Sequence, residues 1–239
     1  MIRALADAIT SVILAPSCAC CALPLDHPTS GAVCSPCWSS IEPATEPLCE
    51  TCGDALTAWR SLDGSRRCTR CRRSNRVISM GRSIGPYEGT LREILHALKY
   101  DRRRSLAKPL AALMATAGAD VLSGADGVVP VPLHFRRQYS RGFNQAGELA
   151  RHLRVPVISA LRRTRATVTQ TDLPEAQRHA NVHGAFAVRT RIRSGSVLVV
   201  VDDVSTTGAT LDACARVLLS AGAKDVRGLT AARAAARLP

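Results

Sequence analysis

A parallel α/β sheet flanked by helices, preceded by a small cysteine-rich unit, is the architecture this sequence predicts. Three observations carry it. Val197-Leu198-Val199-Val200-Val201 is an unbroken β-branched and leucine run, the pattern of a central parallel strand covered on both faces. Segments of strand and helix periodicity alternate around it, as in doubly wound folds. Nine of the ten cysteines fall between Cys18 and Cys71, remote in sequence from that run. A chain of 239 residues has room for one medium domain and a small one. The expected division is a helix over residues 1–15, a cysteine-rich unit over 16–75 and the α/β domain over 80–239.

At the start, Ala4, Ala8 and Val12, with Leu5, Ile9 and Ile13, suit one face of an amphipathic helix. Asp7 interrupts this stretch, which is too short to span a bilayer. Leu14-Ala15-Pro16-Ser17-Cys18 loosely matches a lipoprotein cleavage site, but Pro16 and the cysteine pattern that follows speak against it. No other segment approaches membrane length, so the chain is read as cytoplasmic with no membrane partner. The basic stretch Arg72-Arg73-Ser74-Asn75-Arg76 reads as a boundary between the two units. Thr90-Leu91-Arg92-Glu93 has the form of a capping box. Leu91, Ile94, Leu95 and Leu98 then predict a helix to about Lys99, and a second helix is expected over Ala107–Ala117.

Val128-Val129-Pro130-Val131-Pro132 reads as a short buried strand with prolines near its carboxyl end. Ala146, Leu149, Ala150 and Leu153 form a helical stripe, and Val155 to Ile158 reads as a further strand. Leu161 to Gly184 lacks a sustained period and is expected to be a loop or hood. After the central strand, Leu211, Cys214 and Leu218 predict a helix stopped by Gly222, and Val226–Leu229 a last strand.

Eight cysteines form four Cys-x-x-Cys pairs: Cys18/Cys21, Cys34/Cys37, Cys49/Cys52 and Cys68/Cys71. Two intervening residues let both sulfurs converge on one metal from a tight turn, and tetrahedral zinc takes four sulfurs at about 2.3 Å. Twelve residues separate the first two pairs and fifteen the last two, both short enough for a ribbon hairpin. The expectation is about two structural zinc ions, folding a segment too small for its own core. A disulfide framework is the competing reading, but it needs an oxidising compartment that nothing in the sequence supports. Cys20 competes with Cys18 as a ligand, although Cys18 alone has the two-residue spacing to Cys21. Cys214 reads as a small buried apolar side chain.

Past Val201 the sequence places Asp202-Asp203 and then Val204-Ser205-Thr206-Thr207-Gly208-Ala209-Thr210 at a strand's carboxyl end, where open α/β sheets carry their sites. The hydroxyls and backbone N–H groups of such a turn, leading into a helix, suit a phosphate. Two carboxylates would repel that phosphate, and they suit the hydroxyls of a ribose and a nearby Mg²⁺. The six histidines are scattered singly and read as structural or surface residues.

This stretch resembles the 5-phosphoribosyl-1-pyrophosphate (PRPP) signature of type I phosphoribosyltransferases. The likeness extends to the ComF family of competence-associated proteins, through Leu98-Lys99-Tyr100, Pro130-Val131-Pro132, Arg141-Gly142-Phe143-Asn144-Gln145, Arg163, Thr164, Gln170, Arg178, Asn181, Phe186 and the ribbon cysteines. Ser205 stands where that family often has an apolar residue, a departure expected to leave phosphate binding intact. The resemblance implies that Asp202 and Asp203 face the ribose hydroxyls, that Ser205 to Thr210 cradle the 5-phosphate, and that the loop after Pro132, with Arg136, Arg137 and Arg141, holds pyrophosphate. A solvated face is the competing reading for Arg136 and Arg137, and less so for Arg141 beside Gly142. If the chain is an enzyme, Asp202, Asp203 and Arg141 are the residues expected to serve catalysis.

Two functions follow. One is Mg²⁺-dependent transfer of phosphoribosyl to an acceptor with release of pyrophosphate. The other is a non-catalytic PRPP or nucleotide binder that grips single-stranded DNA during uptake for transformation. The formal charge of +13, from 32 basic and 19 acidic residues, suits polyanions. Its dense stretches are Arg70-Cys71-Arg72-Arg73, Arg102-Arg103-Arg104 and Arg162-Arg163-Thr164-Arg165. Aromatic residues at 3% offer little base stacking, with Trp38, Trp59, Phe135, Tyr139 and Phe143 the few candidates.

Overall fold

The sheet is built from the strands the apolar runs predict, plus one they do not. The computed structural model describes residues 2–56, 66–134, 139, 142–165 and 184–234. Four strands, β1 (Gly81–Pro86), β2 (Gly127–Pro130), β5 (Val197–Ser205) and β6 (Asp225–Arg233), form a parallel sheet in the order β1-β6-β5-β2. A separate antiparallel pair, β3 (Leu161–Arg163) and β4 (Phe186–Val188), stands where the hood is expected, with 166–183 outside the described residues. The helices are α1 (Ile2–Leu14), α2 (Ser35–Ser39), α3 (Thr69–Arg73), α4 (Gly89–Tyr100), α5 (Ala107–Ala117), α6 (Ala119–Leu122), α7 (Gln145–Ala150) and α8 (Ala209–Ser220).

The side-chain alternation of β5 explains its uninterrupted apolar run. Val199 and Val201 point into a core with Leu91, Ile94, Leu95 and Leu98 of α4 and Leu110 and Met114 of α5. Leu198 and Val200 point into the opposite core, with Leu211, Cys214 and Leu218 of α8. Both faces are dry, so every position is apolar until the strand reaches its exposed end. The read periods of α4, α5 and α8 match the observed elements. The stretch Val155 to Ile158 contributes one parallel bridge, Val128 to Val157, beside β2. The capping box does not form. Glu88 is the N-cap of α4, and the Thr90 hydroxyl lies 2.8 Å from that of Ser40.

Strand β1 has no apolar period because another part of the chain lies against its glycines. The Ala44 N–H donates to the Ile84 carbonyl at 2.7 Å, covering the strand's open edge. A Cβ on Gly85 would collide with the Glu42 carbonyl oxygen, and one on Gly53 would come within 2.6 Å of the Gly81 carbonyl oxygen. The cysteine-rich unit is thus seated on the sheet through backbone approaches that side chains would block.

Helix α1 is oriented opposite to the face its sequence suggests. The interrupting Asp7 is buried, accepting from the Thr29 N–H at 2.9 Å and the Thr29 hydroxyl at 2.6 Å. Leu5, Ile9, Val12 and Ile13 are exposed. Among the described residues no helix is long and apolar enough to cross a membrane.

Two glycine substitutions should have opposite signs. Gly85→Ala forces the Glu42 backbone off β1 and should lower stability by about 1–3 kcal/mol. Gly147→Ala lies in α7, where an added Cβ meets nothing closer than 3.6 Å, and should raise stability by about 0.5–1 kcal/mol. Urea unfolding of both variants measures the contrast; equal effects would mean that the glycine contacts on β1 do not seat the ribbon.

Candidate functional site

The cysteine pairs close into two clusters, Cys18/Cys21/Cys34/Cys37 and Cys49/Cys52/Cys68/Cys71, each with its four sulfurs within 4.8 Å of one another. Sulfur separations are 3.8 Å for Cys18–Cys37, 3.7 Å for Cys21–Cys34 and 3.6 Å for Cys52–Cys68. A tetrahedron with bonds of about 2.3 Å has edges of about 3.8 Å, so the clusters fit zinc. The same separations are far longer than a disulfide of about 2.05 Å. Backbone N–H groups stabilise the thiolates: those of Cys20 and Cys34 point at the Cys18 sulfur at 3.4 and 3.3 Å, and that of Cys68 at the Cys49 sulfur at 3.3 Å. Burial pushes the Cys18 thiol up, but the N–H groups of Cys21, Cys34 and Cys20 outweigh it and bring it down to about 6. Cys20 lies outside the cluster, and burial, reinforced by the Cys18 charge, pushes its thiol up to about 12. Cys214 is wholly buried in the core, as its helical position suggests.

Gly53 follows Cys52 with φ +73°, the left-handed turn that lets the chain double back beneath its metal site. Cys34 and Cys68 each stand as N-cap of a one-turn helix, α2 and α3, on which Cys37 and Cys71 return to the cluster.

The second centre lies at the carboxyl end of β5. Its two carboxylates are fixed by their own backbone, Asp202 Oδ1 accepting from the Asp203 N–H at 2.9 Å and Asp203 Oδ1 from the Val204 N–H at 2.7 Å. Lys99, in the last turn of α4, reaches Asp203 Oδ2 at 3.0 Å, and both side chains are largely buried. Burial and the neighbouring Asp203 charge push Asp202 up to about 8. Burial pulls Lys99 down, but Asp203 more than compensates and keeps it above its ordinary value. Two oxygen donors with one cation to balance them suit sugar hydroxyls or a hard divalent ion such as Mg²⁺. Lys99 belongs to a motif that the sequence offers, but its pairing with Asp203 depends on where α4 ends in space.

The chain then turns through Thr206 and Thr207 to Gly208, which has φ +82° and caps α8. The Thr207 hydroxyl accepts from the Ala209 N–H at 3.3 Å and is buried. Ser205 is also buried, and its hydroxyl accepts from Arg233 Nη1 at 3.4 Å. Thr206 and Thr210 are the half-buried hydroxyls of the turn. Behind it, Arg76 and Asp212 form an ion pair at 3.1 Å with 2% and 1% of their side chains exposed, so Arg76 is no solvated linker residue. Asp212 also accepts from the Val77 and Ile78 N–H groups at 3.0 and 3.3 Å. Sequence reading misses both, because an arginine in a basic stretch and an aspartate in a helix's first turn look like ordinary surface residues.

The loop after β2 borders this end. The Val131 N–H donates to the Val201 carbonyl at 2.9 Å, and Asn144 ties back to the Val131 carbonyl at 3.0 Å while capping α7. Arg136, Arg137 and Arg141, as well as Phe135, Trp59, Gln170, Arg178 and Asn181, lie outside the described residues. Arg104 stacks over Phe143 at 5.3 Å and pairs with Glu148 at 2.6 Å, and Arg163 stacks over Phe186 at 5.3 Å.

Two domain families match the chain: the double zinc ribbon domain over residues 9–74 and the phosphoribosyl transferase domain over residues 139–238. The DNA utilization protein YhgH of Escherichia coli (strain K12) is 34% identical over 223 residues, covering 88% of this chain and 93% of that protein. Competence protein F of Haemophilus influenzae is 28% identical over 220 residues, covering 87% of this chain and 93% of its own. Competence protein ComFC of Bacillus subtilis is 28% identical over 194 residues, covering 80% and 79%.

Zinc analysis checks the two clusters. Anaerobically purified chain should carry about two zinc ions, and Cys68→Ser with Cys71→Ser should retain about one, with a loosened second ribbon. Metal-free protein, or disulfides in place of thiols, would refute the assignment.

Proposed function

The chain belongs to the ComF family, and from that premise we propose that the end of β5 binds PRPP with Mg²⁺ and transfers its phosphoribosyl group to a nitrogen acceptor with release of pyrophosphate. The observation that carries the reading is the direct succession of a half-buried Asp202-Asp203 pair and a helix-capping turn at Gly208. A phosphorylated ribose carries both the hydroxyls that such carboxylates accept from and the anion that such a turn holds. In this reading Asp202 and Asp203 accept hydrogen bonds from the ribose hydroxyls. The N–H groups and hydroxyls of Val204, Ser205, Thr206, Thr207, Gly208, Ala209 and Thr210 hold the phosphate. Arg141 and its loop hold the pyrophosphate, whose paired oxygens match a guanidinium fork.

During transfer the bond from C1 to the pyrophosphate oxygen breaks, its electron pair leaving with pyrophosphate, while the acceptor nitrogen supplies the pair for the new bond. Mg²⁺, held near Asp202 and Asp203, would supply charge neutralisation for the phosphates. Lys99, 3.0 Å from Asp203 Oδ2, holds that carboxylate in place for hydroxyl contacts. The division into a helix over 1–15, a ribbon unit over 16–75 and a transferase domain over 80–239, and a cytoplasmic location, belong to the same reading. Reduced, metal-bound cysteines suit that compartment.

Calorimetry tests the site. PRPP with Mg²⁺ should bind the wild-type chain, and Asp202→Ala with Asp203→Ala should weaken binding at least tenfold, about 1.4 kcal/mol. Affinity should rise as pH approaches about 8, because Asp202 has a raised value and, once ionised, becomes the stronger hydrogen-bond acceptor and attracts Mg²⁺. Unchanged affinity in the double variant would sink the site, and pyrophosphate release with pooled bases would establish transfer.

A second function is favoured by the exposure of Arg72, Arg73, Arg102, Arg162 and Arg165. Together with relatives named for DNA utilization and competence, this supports binding of single-stranded DNA during uptake for transformation, through the phosphate backbone. Affinity should fall with salt at a slope of about −0.7 per neutralised phosphate, and replacing Arg102, Arg103 and Arg104 by Ala should flatten it. Fluorescence anisotropy at low salt measures both. No binding would remove the DNA reading, while competition by PRPP would place the DNA in the β5 site.

A further inference from the structure

Three arginines tied to the second ribbon and the segment that follows it meet three consecutive residues, the last of β5 and the first two of the turn after it. Arg233, paired with Asp54 two residues beyond Cys52, donates to the Ser205 hydroxyl at 3.4 Å. Arg70, on the one-turn helix between Cys68 and Cys71, donates to the Thr206 carbonyl at 3.3 Å. Arg76, locked by Asp212, donates to the Thr207 carbonyl. A Cβ on Gly208 would fall on the Arg76 guanidinium, so the arginine lies directly against the turn's backbone.

A trans peptide is planar, and its C=O and the following N–H point in opposite directions. Drawing the Thr206 and Thr207 carbonyls toward the ribbon therefore turns the N–H groups of Thr207 and Gly208 away from it. We propose that Arg70, Arg76 and the Arg233–Asp54 pair are positioning residues, with which the second ribbon presets the turn so that its N–H groups converge on the phosphate of a ribose 5-phosphate moiety. This rests on the reading of the turn as a phosphate site.

The preset turn requires no reorganisation when the anion arrives, which is where fixed dipoles gain over mobile water. It also gives the ribbon a task distinct from folding. Arg70 and Arg76 touch carbonyl oxygens, so they shape the anion site without entering it.

Two probes separate the turn from the rest of the site: ribose 5-phosphate, which engages the turn, and magnesium pyrophosphate, which does not. In the full zinc-loaded chain, Arg70→Ala should weaken ribose 5-phosphate about fivefold to tenfold, the effect of losing one hydrogen bond, and leave magnesium pyrophosphate unchanged. Arg70→Lys, which keeps a donor for the Thr206 carbonyl, should restore most of the loss. Arg76→Lys should weaken ribose 5-phosphate in the same selective way, and zinc content and unfolding midpoint report whether each variant is intact. Unchanged ribose 5-phosphate affinity in both Arg70→Ala and Arg76→Lys, or equal loss of both probes, overturns the bracing while leaving the phosphate reading in place. A wild-type chain that binds neither ribose 5-phosphate nor PRPP overturns that reading, and the bracing with it.

Discussion

Charge held out of water at the end of β5 is the constraint on which the rest of this structure depends. The pairs Lys99–Asp203, Arg76–Asp212 and Arg233–Asp54 stand around the strand end, their side chains largely shielded from solvent. Buried ion pairs add little net stability, yet removing one partner typically costs about 3–5 kcal/mol. Their value here is geometric. Asp202, Asp203 and Asp212 are also fixed by backbone hydrogen bonds, so the strand end has one arrangement of carboxylates and one course for the turn. The sheet contributes a rigid base because both faces of β5 are packed, and no residue before Asp202 can shift without opening a core.

That constraint links the two halves of the chain. The second ribbon approaches the sheet through Gly53 against Gly81, and residues 42–44 run along β1 beside Gly85. The same ribbon sends Asp54 and Arg70 to the turn, with Arg76 close behind it. A unit with almost no apolar core gains order from its sulfur clusters and transmits that order to a loop that must hold still. The extra length of β6 serves this arrangement too, since its register sets Arg233 directly beside Ser205.

Sequence and structure agree where local chemistry leaves one solution. Four Cys-x-x-Cys pairs at hairpin spacing give two tetrahedral clusters, and an unbroken apolar run gives a strand buried on both faces. The carboxylates and the turn were legible because they follow that run immediately. Strand β1 was not legible, since Gly81 and Gly85 answer to a backbone seated upon them and leave no alternation to read. Arg76 and Asp212 were illegible for a related reason: a charged residue carries no sign in the sequence that its partner lies 136 positions away, as the two numbers imply. Helix α1 reversed the expectation for its faces because one aspartate with two hydrogen bonds from Thr29 outweighs the pull of a short apolar stripe.

We infer that the end of β5 is a site for a phosphorylated ribose, shaped by the ion pairs packed around it. A crystal structure of the zinc-loaded chain with PRPP and Mg²⁺ tests it most directly. The ribose hydroxyls are expected on Asp202 and Asp203 and the 5-phosphate against the N–H groups of the turn from Thr206 to Thr210, with Arg70 and Arg76 still on the carbonyls behind it. PRPP found elsewhere on the chain, or bound with its 5-phosphate outside that turn, would contradict it.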